Sequence, residues 1–560
     1  MITMNRKTRA THRFRGVVAG IVAAVMMFGL ADLIARAFTP SAAPLLTLGQ
    51  AIIPLAPPAA IKPVIALFGD NDKLVLVLST GLGAIILAGL IGALAVSRRR
   101  LATTLLVVAG LVPVIVIIIR PEAGAIDVIP ALVGLGVGLA VFALLLRLGG
   151  FAIPAEEAHR PVDDAQDPVA PEHSAEAADH PDSAPAAEPG PAPDDVPGPR
   201  TSNPLSRRRF FGLAGAIGAI GTVTIAAGQT LVSLTQEAGA AVAKLVLPNP
   251  AKKAAAIPAA ASTDLDGTVP FVTEAKDFYR IDTVLSPPVI DPEQWSLHIH
   301  GMVENEVTLT MDDVLDLPLQ EHHITLTCVS NPVGGDLVGN ATWLGYPVRE
   351  LLARARPSSR ADMVLSHSFD GFTASTPIGA LTDGRAALLA VGMNGQPLTP
   401  IHGFPARLVV SGLYGFVSAT KWVTELEVTR FDEKTAYWTD RGWDAKAPIL
   451  VASRIEVPKP LAKVPAGDIR VGGTAWAQRA GIDRVEVKLD DGEWTQADLA
   501  EEVTIDTWRQ WRTEFAEVAA GSHTLTVRAT DKDGTVQTAK RRDSIPNSAT
   551  GHHHIQFRVE

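Results

Sequence analysis

Long apolar stretches interrupt the N-terminal part of the chain and set its organisation. Each holds almost no charged side chain over roughly the 20 residues that an α-helix needs to cross a bilayer. The pattern therefore predicts five transmembrane helices. The stretches are Val17–Leu33, Leu74–Val96, Leu101–Ile119, Val128–Leu146 and Phe210–Val232.

A further apolar stretch, Leu45–Leu67, is interrupted by four prolines. Repeated prolines break an ordinary helix because each removes a backbone donor and clashes with the preceding turn. We therefore predict an interfacial or re-entrant segment here, rather than a sixth span.

The basic residues predict the orientation, because short loops rich in Lys and Arg stay in the cytoplasm. Residues 6–15 carry five basic side chains and place the N-terminus inside, and Arg98–Arg100 then fall on the same side. Residues 151–205 follow the fourth span and are dense in Ala, Pro, Asp and Glu. This composition predicts a solvated cytoplasmic linker, with an acidic interaction tail as the alternative.

The linker leads into Ser206–Phe211, which reads Ser-Arg-Arg-Arg-Phe-Phe and precedes a Gly- and Ala-rich apolar stretch. This motif resembles a twin-arginine export signal placed internally, and a plain positively charged flank is the alternative. The twin-arginine pathway carries folded proteins. Both interpretations place everything after Val232 outside the cytoplasmic membrane.

From about residue 270 the pattern changes to short alternating strands joined by turns. In the first strand, Trp295, Leu297 and Ile299 are predicted to face a core, while His298 and His300 face the other way. The chain as a whole has a net charge of -10, so it presents no overall basic field for nucleic acid.

The chain has one cysteine, Cys328. A single cysteine excludes an internal disulfide, a paired-cysteine redox motif and a cysteine-rich metal cluster. An isolated cysteine is more often an inert buried residue than a ligand, so the surrounding motifs must decide its role.

Five motifs follow one another in the β-rich region: Phe278–Arg280, His323–Asn331 around the cysteine, Gly339–Gly345, His402–Val410 and Gly415–Trp422. In this order and at this spacing they resemble the molybdopterin-binding domain of the sulfite oxidase superfamily, over roughly residues 270 to 455. The resemblance implies an α+β fold for this domain.

The resemblance also implies the molybdenum–molybdopterin cofactor, with the Cys328 thiolate as the protein's ligand to the metal, a soft donor that suits molybdenum. It implies catalytic roles for Cys328, Arg280 and Tyr437. An anionic pterin phosphate needs cationic donors. The residues implied to contact the cofactor are Tyr279, Arg280, Cys328, Asp370, His402, Arg407, Ser418, Thr420 and Lys421.

The sequence departs from the family at the substrate pocket. Asn331–Gly335 stands where sulfite oxidases carry adjacent arginines that help to bind an anion. Arg280 remains, and Arg441, Arg454 and Arg509 are candidates to contribute. A dedicated sulfite enzyme is therefore less favoured, and a neutral or larger substrate becomes an alternative.

Two aromatic residues have open alternatives. Tyr437 corresponds to a family tyrosine near the metal, or is a half-buried aromatic residue. Trp343 either lines the substrate funnel or belongs to the core.

Residues after about 465 form short strands joined by Gly-containing turns, which predicts an all-β immunoglobulin-like sandwich similar to the family's dimerisation domain.

The predicted fold is therefore multi-domain: transmembrane α-helices, then an α+β molybdopterin domain, then an immunoglobulin-like sandwich. The predicted boundaries are 1–150 for four membrane helices, 151–205 for the linker, 206–235 for the signal and fifth helix, 236–269 for a connector, 270–458 for the catalytic domain and 459–560 for the dimerisation domain.

The implied activity is oxygen-atom transfer, either sulfite-like oxidation or sulfoxide-type reduction of a small molecule. A cofactor-free membrane scaffold or interaction module is the alternative. His12 is the only histidine before the linker, so we expect no haem and no iron–sulfur relay in the chain, and a separate carrier such as a cytochrome or a quinone-linked protein. Membrane lipid is an expected partner, and a homodimer is left open.

The predicted topology can be tested with reporter fusions. We expect fusions after residue 150 to report a cytoplasmic position and fusions after residue 260 an extracytoplasmic one, because the basic segments hold the linker inside. Replacing Arg207 and Arg208 by Lys should block export of the folded domain. Normal export of this variant would reduce the motif to a positive flank.

Overall fold

The computed structural model describes residues 6–38, 42–53, 72–120, 124–149, 207–234, 242, 245–285 and 287–560. The predicted linker at 151–205 and residues 54–67 of the proline-rich stretch lie outside these ranges. The chain divides into two compact units. The first comprises Met1–Ile34, Ser79–Val114 and Ile129–Gly228, and the second comprises Ala35–Leu78, Ile115–Val128 and Gln229–Glu560.

The N-terminal part is helical, as predicted. Its helices are α1 (Arg6–Phe38), α2 (Pro44–Ile52), α3 (Asp72–Leu94), α4 (Arg99–Ile119), α5 (Ile129–Leu148) and α6 (Arg207–Leu234). By length and composition, four of them could cross a membrane, over Thr11–Arg36, Val75–Leu94, Arg99–Ile119 and Ile129–Leu148. Helix α6 contains the fifth predicted span, whose membrane crossing stays a prediction. Helix α2 has nine residues, too few to span a bilayer.

The basic segments of the first unit gather at one end of its helices. Arg15 Nη1 donates a hydrogen bond to the carbonyl of Gly149 at 3.0 Å. The Arg15 guanidinium also lies 5.4 Å from the centroid of the Phe210 ring. The starts of α1 and α6 therefore meet the end of α5, which agrees with a common side for these ends.

Helices α1 and α3 pack through glycines in the first unit. A methyl group placed on Gly92 would overlap the backbone carbonyl of Gly16 and come within 3.0 Å of the Gly20 nitrogen. Small residues allow helix backbones to approach this closely. In lipid, helices associate largely through such close packing, because the hydrophobic effect does not drive helices together there. The two helices therefore depend on these glycines for their distance of closest approach.

The region from Ser296 to Thr429 forms two sheets over one hydrophobic core. One sheet has the order β2-β1-β10-β5-β6, and the other has β3-β4-β7-β8 with β9 paired to β7. The strands are β1 (Ser296–Gly301), β2 (Val307–Thr310), β3 (Gln320–Thr327), β4 (Val338–Pro347), β5 (Met363–Ser368), β6 (Thr373–Pro377), β7 (Ala387–Met393), β8 (Gln396–Pro397), β9 (Arg407–Val410) and β10 (Val423–Thr429). Three short helices connect them: α7 (Met311–Leu315), α8 (Val348–Ala355) and α9 (Ile378–Thr382).

The first strand confirms the predicted alternation. Leu297 and Ile299 of β1 are fully buried, and Trp295 just before it is nearly so. On the other face, His298 lies 3.2 Å from a carboxylate oxygen of Glu306, and the His300 ring stacks on that of His298. These histidines pair with neighbouring side chains on an exposed strand face.

The C-terminal region is also built from two packed sheets. Their orders are β11-β13-β17-β16 and β12-β19-β18-β14-β15. The core between them joins Val471 and Trp511 of one sheet to Val487, Leu525 and Phe557 of the other. The strands are β11 (Ala452–Val457), β12 (Lys463–Val464), β13 (Gly467–Trp476), β14 (Ile482–Leu489), β15 (Trp494–Gln496), β16 (Asp498–Leu499), β17 (Arg509–Val518), β18 (Gly521–Asp531) and β19 (His553–Val559).

The predicted turn at Asp490–Gly492 does connect two antiparallel strands, because Lys488 of β14 pairs with Trp494 of β15. The β-rich character of this region is thus confirmed. Immunoglobulin-like connectivity, and the role in dimerisation, stay predictions.

The glycine contact between α1 and α3 gives a test of the first unit. Gly92→Val should force the two helices apart and destabilise the unit by about 1–3 kcal/mol, the usual cost of overpacking a tight contact. The measurement is denaturant or thermal unfolding of the protein in detergent. Gly83→Val is a matched control on the same helix, because nothing lies within 4 Å of a methyl group there. Equal effects from both substitutions would contradict this packing.

Candidate cofactor site

The single cysteine lies directly after strand β3, where the chain leaves the sheet. Its backbone N–H donates to the carbonyl of Leu337 at 2.9 Å, which fixes the loop. The Cys328 side chain is 7% exposed, and its Sγ lies 3.0 Å from Ser330 Oγ. Burial raises the pKa of the Cys328 thiol, and the hydrogen bond with Ser330 partly opposes this shift. A bound metal cation would reverse it, because a coordinating thiol is deprotonated.

Six of the predicted site residues line one cavity, although they come from five separate segments of the chain. The six are Tyr279, Cys328, Asp370, His402, Arg407 and Lys421. Gly415 also lines this cavity, which we call the cofactor cavity. A methyl group on Gly415 would find its nearest atom, Ala419 Cβ, 3.5 Å away, so the backbone can approach a ligand closely here.

Arg407 is a buried cation on one wall of this cavity. Its side chain is 6% exposed, and its guanidinium donates to the carbonyls of His402 at 3.2 Å and Ala419 at 3.3 Å. The guanidinium also lies 5.1 Å from the centroid of the Trp343 ring. Burial lowers the Arg407 pKa to about 10. Arg407 is therefore a buried cation and not a surface charge.

Lys421 is the second buried cation. Its Nζ donates to Asp282 Oδ2 at 2.8 Å and to the carbonyl of Ile401 at 3.1 Å. The same carboxylate accepts from Arg280 Nε at 2.8 Å, so two cations share Asp282. Burial lowers the Lys421 pKa to about 8, although Asp282 acts in the opposite direction. This side of the cavity is therefore short of negative charge.

His402 is held as a neutral ring beside these cations. It is 1% exposed, and its Nε2 lies 2.7 Å from the carbonyl of Ala275, which can only accept a proton. Burial, together with the charges of Arg407, Lys421 and Arg280, lowers the His402 pKa to about 4, although the hydrogen bond with the Ala275 carbonyl acts in the opposite direction. Its neighbour Gly403 has a φ of +104°, a conformation that favours glycine.

Tyr279 completes the inner wall. Its ring stacks on that of Phe278, with 5.2 Å between the ring centroids. Burial raises the Tyr279 pKa well above its ordinary value, and the nearby Cys328 adds to the rise while Arg407 opposes it. The phenol is therefore a neutral hydrogen-bonding group at ordinary pH.

Three other predicted cofactor contacts do not line the cavity. Arg280 pairs with Asp282, and it is Asp282 that lines the cavity. Ser418 Oγ donates to the carbonyl of Tyr414 at 3.0 Å, and Thr420 Oγ1 lies 2.7 Å from Ser366 Oγ. These two hydroxyl groups satisfy buried partners within the fold.

Tyr437 also lies outside the wall of the cofactor cavity. Its ring centroid is 5.7 Å from that of Phe372, which does line the cavity. The Arg441 guanidinium lies 3.6 Å above the Tyr437 ring, and burial raises the pKa of this phenol. Trp343 is fully buried and donates from Nε1 to the carbonyl of Ile324 at 3.1 Å, so of its two alternatives the structure supports the core position.

The other arginine candidates serve different contacts. Arg454 pairs with Glu456 at 2.7 Å and donates to the carbonyl of Gly335. Arg509 donates to the carbonyls of Ala500 and Ile482. In the part of the chain that the structure describes, neither these two nor Arg441 line the cofactor cavity.

Some cavity residues carry no clear signal in the sequence. Phe372, Phe416 and Trp438 line the cavity but were not predicted. Their rings come from three loops, and no spacing in the sequence links them. Asp282 was also missed, although its position two residues after Arg280 indicates a charge pair.

Comparisons with known proteins agree with this geometry. A family model described as "Oxidoreductase molybdopterin binding domain" matches residues 284–438. The "Uncharacterized oxidoreductase YuiH" of Bacillus subtilis is 31% identical over 153 residues, which cover 27% of this chain and 74% of that protein. The chain belongs to the sulfite oxidase superfamily of molybdopterin-dependent oxidoreductases.

Two further relatives of this molybdopterin oxidoreductase are informative. "Sulfite oxidase, mitochondrial" of Macaca fascicularis is 30% identical over 303 residues, which cover 45% of this chain and 55% of that protein. The chain thus spans little more than half the length of this sulfite oxidase. Among solved structures, the sulfane dehydrogenase SoxCD of Paracoccus pantotrophus aligns with a TM-score of 0.46 and 22% identity, over 53% of this chain and 85% of that chain.

The side chains present fit the cofactor that the family implies. In the described part of the chain, the hydrogen bonds of buried Arg407 all go to carbonyl oxygens, so its charge has no carboxylate to pair with. An anionic pterin phosphate supplies the missing negative charge. The cysteine lines the same cavity as this cation, so the predicted metal ligand and a predicted phosphate donor lie together.

The buried neutral histidine predicts a pH dependence of stability in the cofactor-free protein. The folded-state pKa of His402 is about 4, against 6.5 for an exposed histidine, so the unfolded chain gains a proton first as the pH falls. Stability should therefore be complete above pH 6.5 and fall by up to about 1.4 kcal/mol per pH unit between 6.5 and 4.

Denaturant unfolding at several pH values measures this slope. His402→Gln should reduce it, while His300→Gln, on an exposed strand face, controls for the loss of a histidine. An unchanged slope in His402→Gln would show that this ring is protonated equally in both states.

Proposed function

We propose that this chain is a membrane-anchored molybdenum-cofactor oxidoreductase that transfers an oxygen atom between water and a small substrate. One observation carries the proposal: Cys328, Arg407 and Lys421 line a single buried cavity. An inert cysteine and two surface charges would have no reason to converge there, because burying an unpaired cation costs several kcal/mol.

The residues divide into a metal ligand and an anion clamp. Cys328 would hold molybdenum through its thiolate, and Arg407 and Lys421 would hold the pterin phosphate. Arg280 acts through Asp282, which fixes the position of Lys421 Nζ. When bound, the cofactor supplies two-electron oxygen-atom chemistry, and the protein supplies its position and the surrounding charge.

The aromatic lining of the cavity favours a substrate with an apolar part. Phe372, Phe416 and Trp438 line it, and the rings of Phe416 and Trp443 approach with 5.6 Å between centroids. Asn331–Gly335 brings no arginine to replace those of the sulfite enzymes. A sulfoxide or thioether fits these walls better than sulfite, although sulfite-like oxidation is the activity named for the curated relatives.

The direction of electron flow selects the partner. Oxidation of a substrate delivers two electrons to an external carrier, and reduction of a sulfoxide draws two electrons from one. We propose a separate carrier, either a cytochrome or a quinone-linked membrane protein.

The C-terminal sheets are the proposed site of contact in a homodimer.

The membrane helices serve as the anchor in this proposal. Arg15, Gly149 and Phe210 meet at one end of the first unit, which supports a common cytoplasmic side for the starts of α1 and α6. Because α6 then crosses outwards, the catalytic domain that follows it would lie on the extracytoplasmic side. A cofactor-free scaffold is disfavoured, since it has no use for a buried cation clamp beside a cysteine.

Two substitutions separate the metal ligand from the anion clamp. Cys328→Ser should abolish turnover while retaining much of the pterin, because a hydroxyl is a poor ligand for molybdenum but leaves the clamp intact. Lys421→Met should lower the bound pterin at least tenfold, because it removes a buried phosphate donor. The measurements are molybdenum and pterin per chain, expected at about one each in the parent, and activity.

Arg470→Met is a control on an exposed residue of β13 and should keep both cofactor and activity. Full activity of Cys328→Ser, or a parent protein without molybdenum, would rule out the proposed function.

A further inference from the structure

A second cavity, of about 400 Å³, adjoins the cofactor cavity. The two cavities share Thr283, Asp370 and Phe372 in their walls, so they are separated by a single layer of side chains. All residues that line the second cavity belong to the second compact unit. Its volume lies in the range of ordinary small-molecule sites.

The outer wall of the second cavity is formed by helices from the apolar part of the chain. Thr47, Gln50 and Ala51 contribute from α2, and Val116 and Ile119 contribute from the end of α4. Helix α4 is one of the four helices that could cross a membrane. Ile119 is 73% exposed, which is expected for a side chain that faces lipid.

The inner wall carries polar groups at the boundary with the cofactor cavity. Asp370 accepts a hydrogen bond from Thr283 Oγ1 at 3.2 Å, and the Tyr437 ring packs 5.7 Å from that of Phe372. Within the described residues, neither the Tyr437 hydroxyl nor the Gln50 amide makes a side-chain hydrogen bond. The wall of the cavity therefore offers donors and an acceptor as well as aliphatic side chains.

The polar and aliphatic groups of the second cavity determine which amphiphilic molecule fits it. Among the described residues of the wall, Arg120 is the one cation and Asp370 the one carboxylate, so these two charges balance. A phospholipid head group needs a surplus of cations, as Arg407 and Lys421 provide in the other cavity. A flat, uncharged head group with oxygens at both ends suits Gln50 and Tyr437 better.

We propose that the second cavity binds the head group of an isoprenoid quinone, with its tail along the exposed isoleucines of α4. The inference rests on the proposed function, because it names the electron partner of that reaction: the quinone itself, bound by this chain, in place of a separate carrier protein. Gln50 and Tyr437 donate to the quinone oxygens, and Asp370 accepts from the hydroxyl of the reduced form. The quinone ring then lies beside Phe372, one side chain away from the cofactor cavity.

The redox balance is complete with this partner. In the oxidising direction, substrate, water and quinone give the oxygenated substrate and quinol, with two electrons and two protons passing to the quinone. In the reducing direction, a sulfoxide and quinol give the thioether, water and quinone. No further oxidant or reductant is required.

The test is photoaffinity labelling of the full chain in detergent micelles with an azido-quinone that carries a short isoprenoid tail. Peptide mass spectrometry should locate the label in Pro44–Ile52, in 283–288 or in 370–372. An excess of unlabelled menaquinone should compete, and an excess of phospholipid should not. Label confined to other segments, or displaced by phospholipid, would overturn the proposal.

Two phenylalanine substitutions on α2 sharpen the result. Ala51→Phe fills the cavity and should reduce labelling at least tenfold, while Ile52→Phe lies outside its wall and should label as the parent does. Melting temperature and molybdenum content report whether Ala51→Phe is folded. If it is not, the nearly isosteric Gln50→Leu takes its place, with the same expected loss. Undiminished labelling of a folded variant refutes the site.

Turnover with soluble dyes separates the two proposals. Ferricyanide with sulfite, and reduced methyl viologen with dimethyl sulfoxide, test the cofactor site without a quinone. Dye-linked turnover without labelling near α2 refutes the quinone site alone. Specific labelling in a protein that holds no molybdenum refutes the proposed function and leaves a quinone-binding protein.

Discussion

The burial of two cations, Arg407 and Lys421, in the wall of one cavity is the constraint on which the site depends. Lys421 and Arg280 divide Asp282 between them, and the hydrogen bonds of Arg407 in the described chain go to carbonyl oxygens. A fold tolerates such uncompensated charge only when a ligand supplies the missing anion. The loops at residues 280, 402 and 421 are therefore arranged for a bound state, and the cofactor is expected to contribute to their order.

The neutral groups of the cavity follow from the same constraint. His402 is deprotonated because it lies in a buried site next to cations, and the Tyr279 phenol stays protonated because burial and Cys328 both disfavour its anion. The site can thus offer hydrogen bonds from neutral groups and charge from Arg407 and Lys421 without proton exchange among them. The cysteine is the one group whose protonation a metal would change.

The cofactor cavity and the second cavity share part of their walls, so the proposed reaction site and the proposed quinone site are adjacent but distinct. Arg407 and Lys421 are buried in the wall of the cofactor cavity, whereas Phe372, Phe416 and Trp438 are partly exposed. Phe372 also belongs to the second cavity, which α2 and the end of α4 complete. One aromatic layer therefore stands between a polar reaction site and an apolar approach, an arrangement suited to reactants that arrive from a membrane.

The sequence by itself determined the classes of structure and singled out the residue that is proposed as the metal ligand. Apolar runs predict the helices, and period-two alternation predicts β1, because both depend on local burial. Cys328 stands in a recognisable series of motifs, because these depend on residue type. Which side chains meet was decided by the tertiary structure. Ser418 and Thr420 lie in the predicted turn, yet their hydroxyls bond to Tyr414 and Ser366. The second cavity joins Gln50, Val116, Thr283 and Tyr437. Such proximity depends on how distant segments pack, and no periodicity along the chain encodes it.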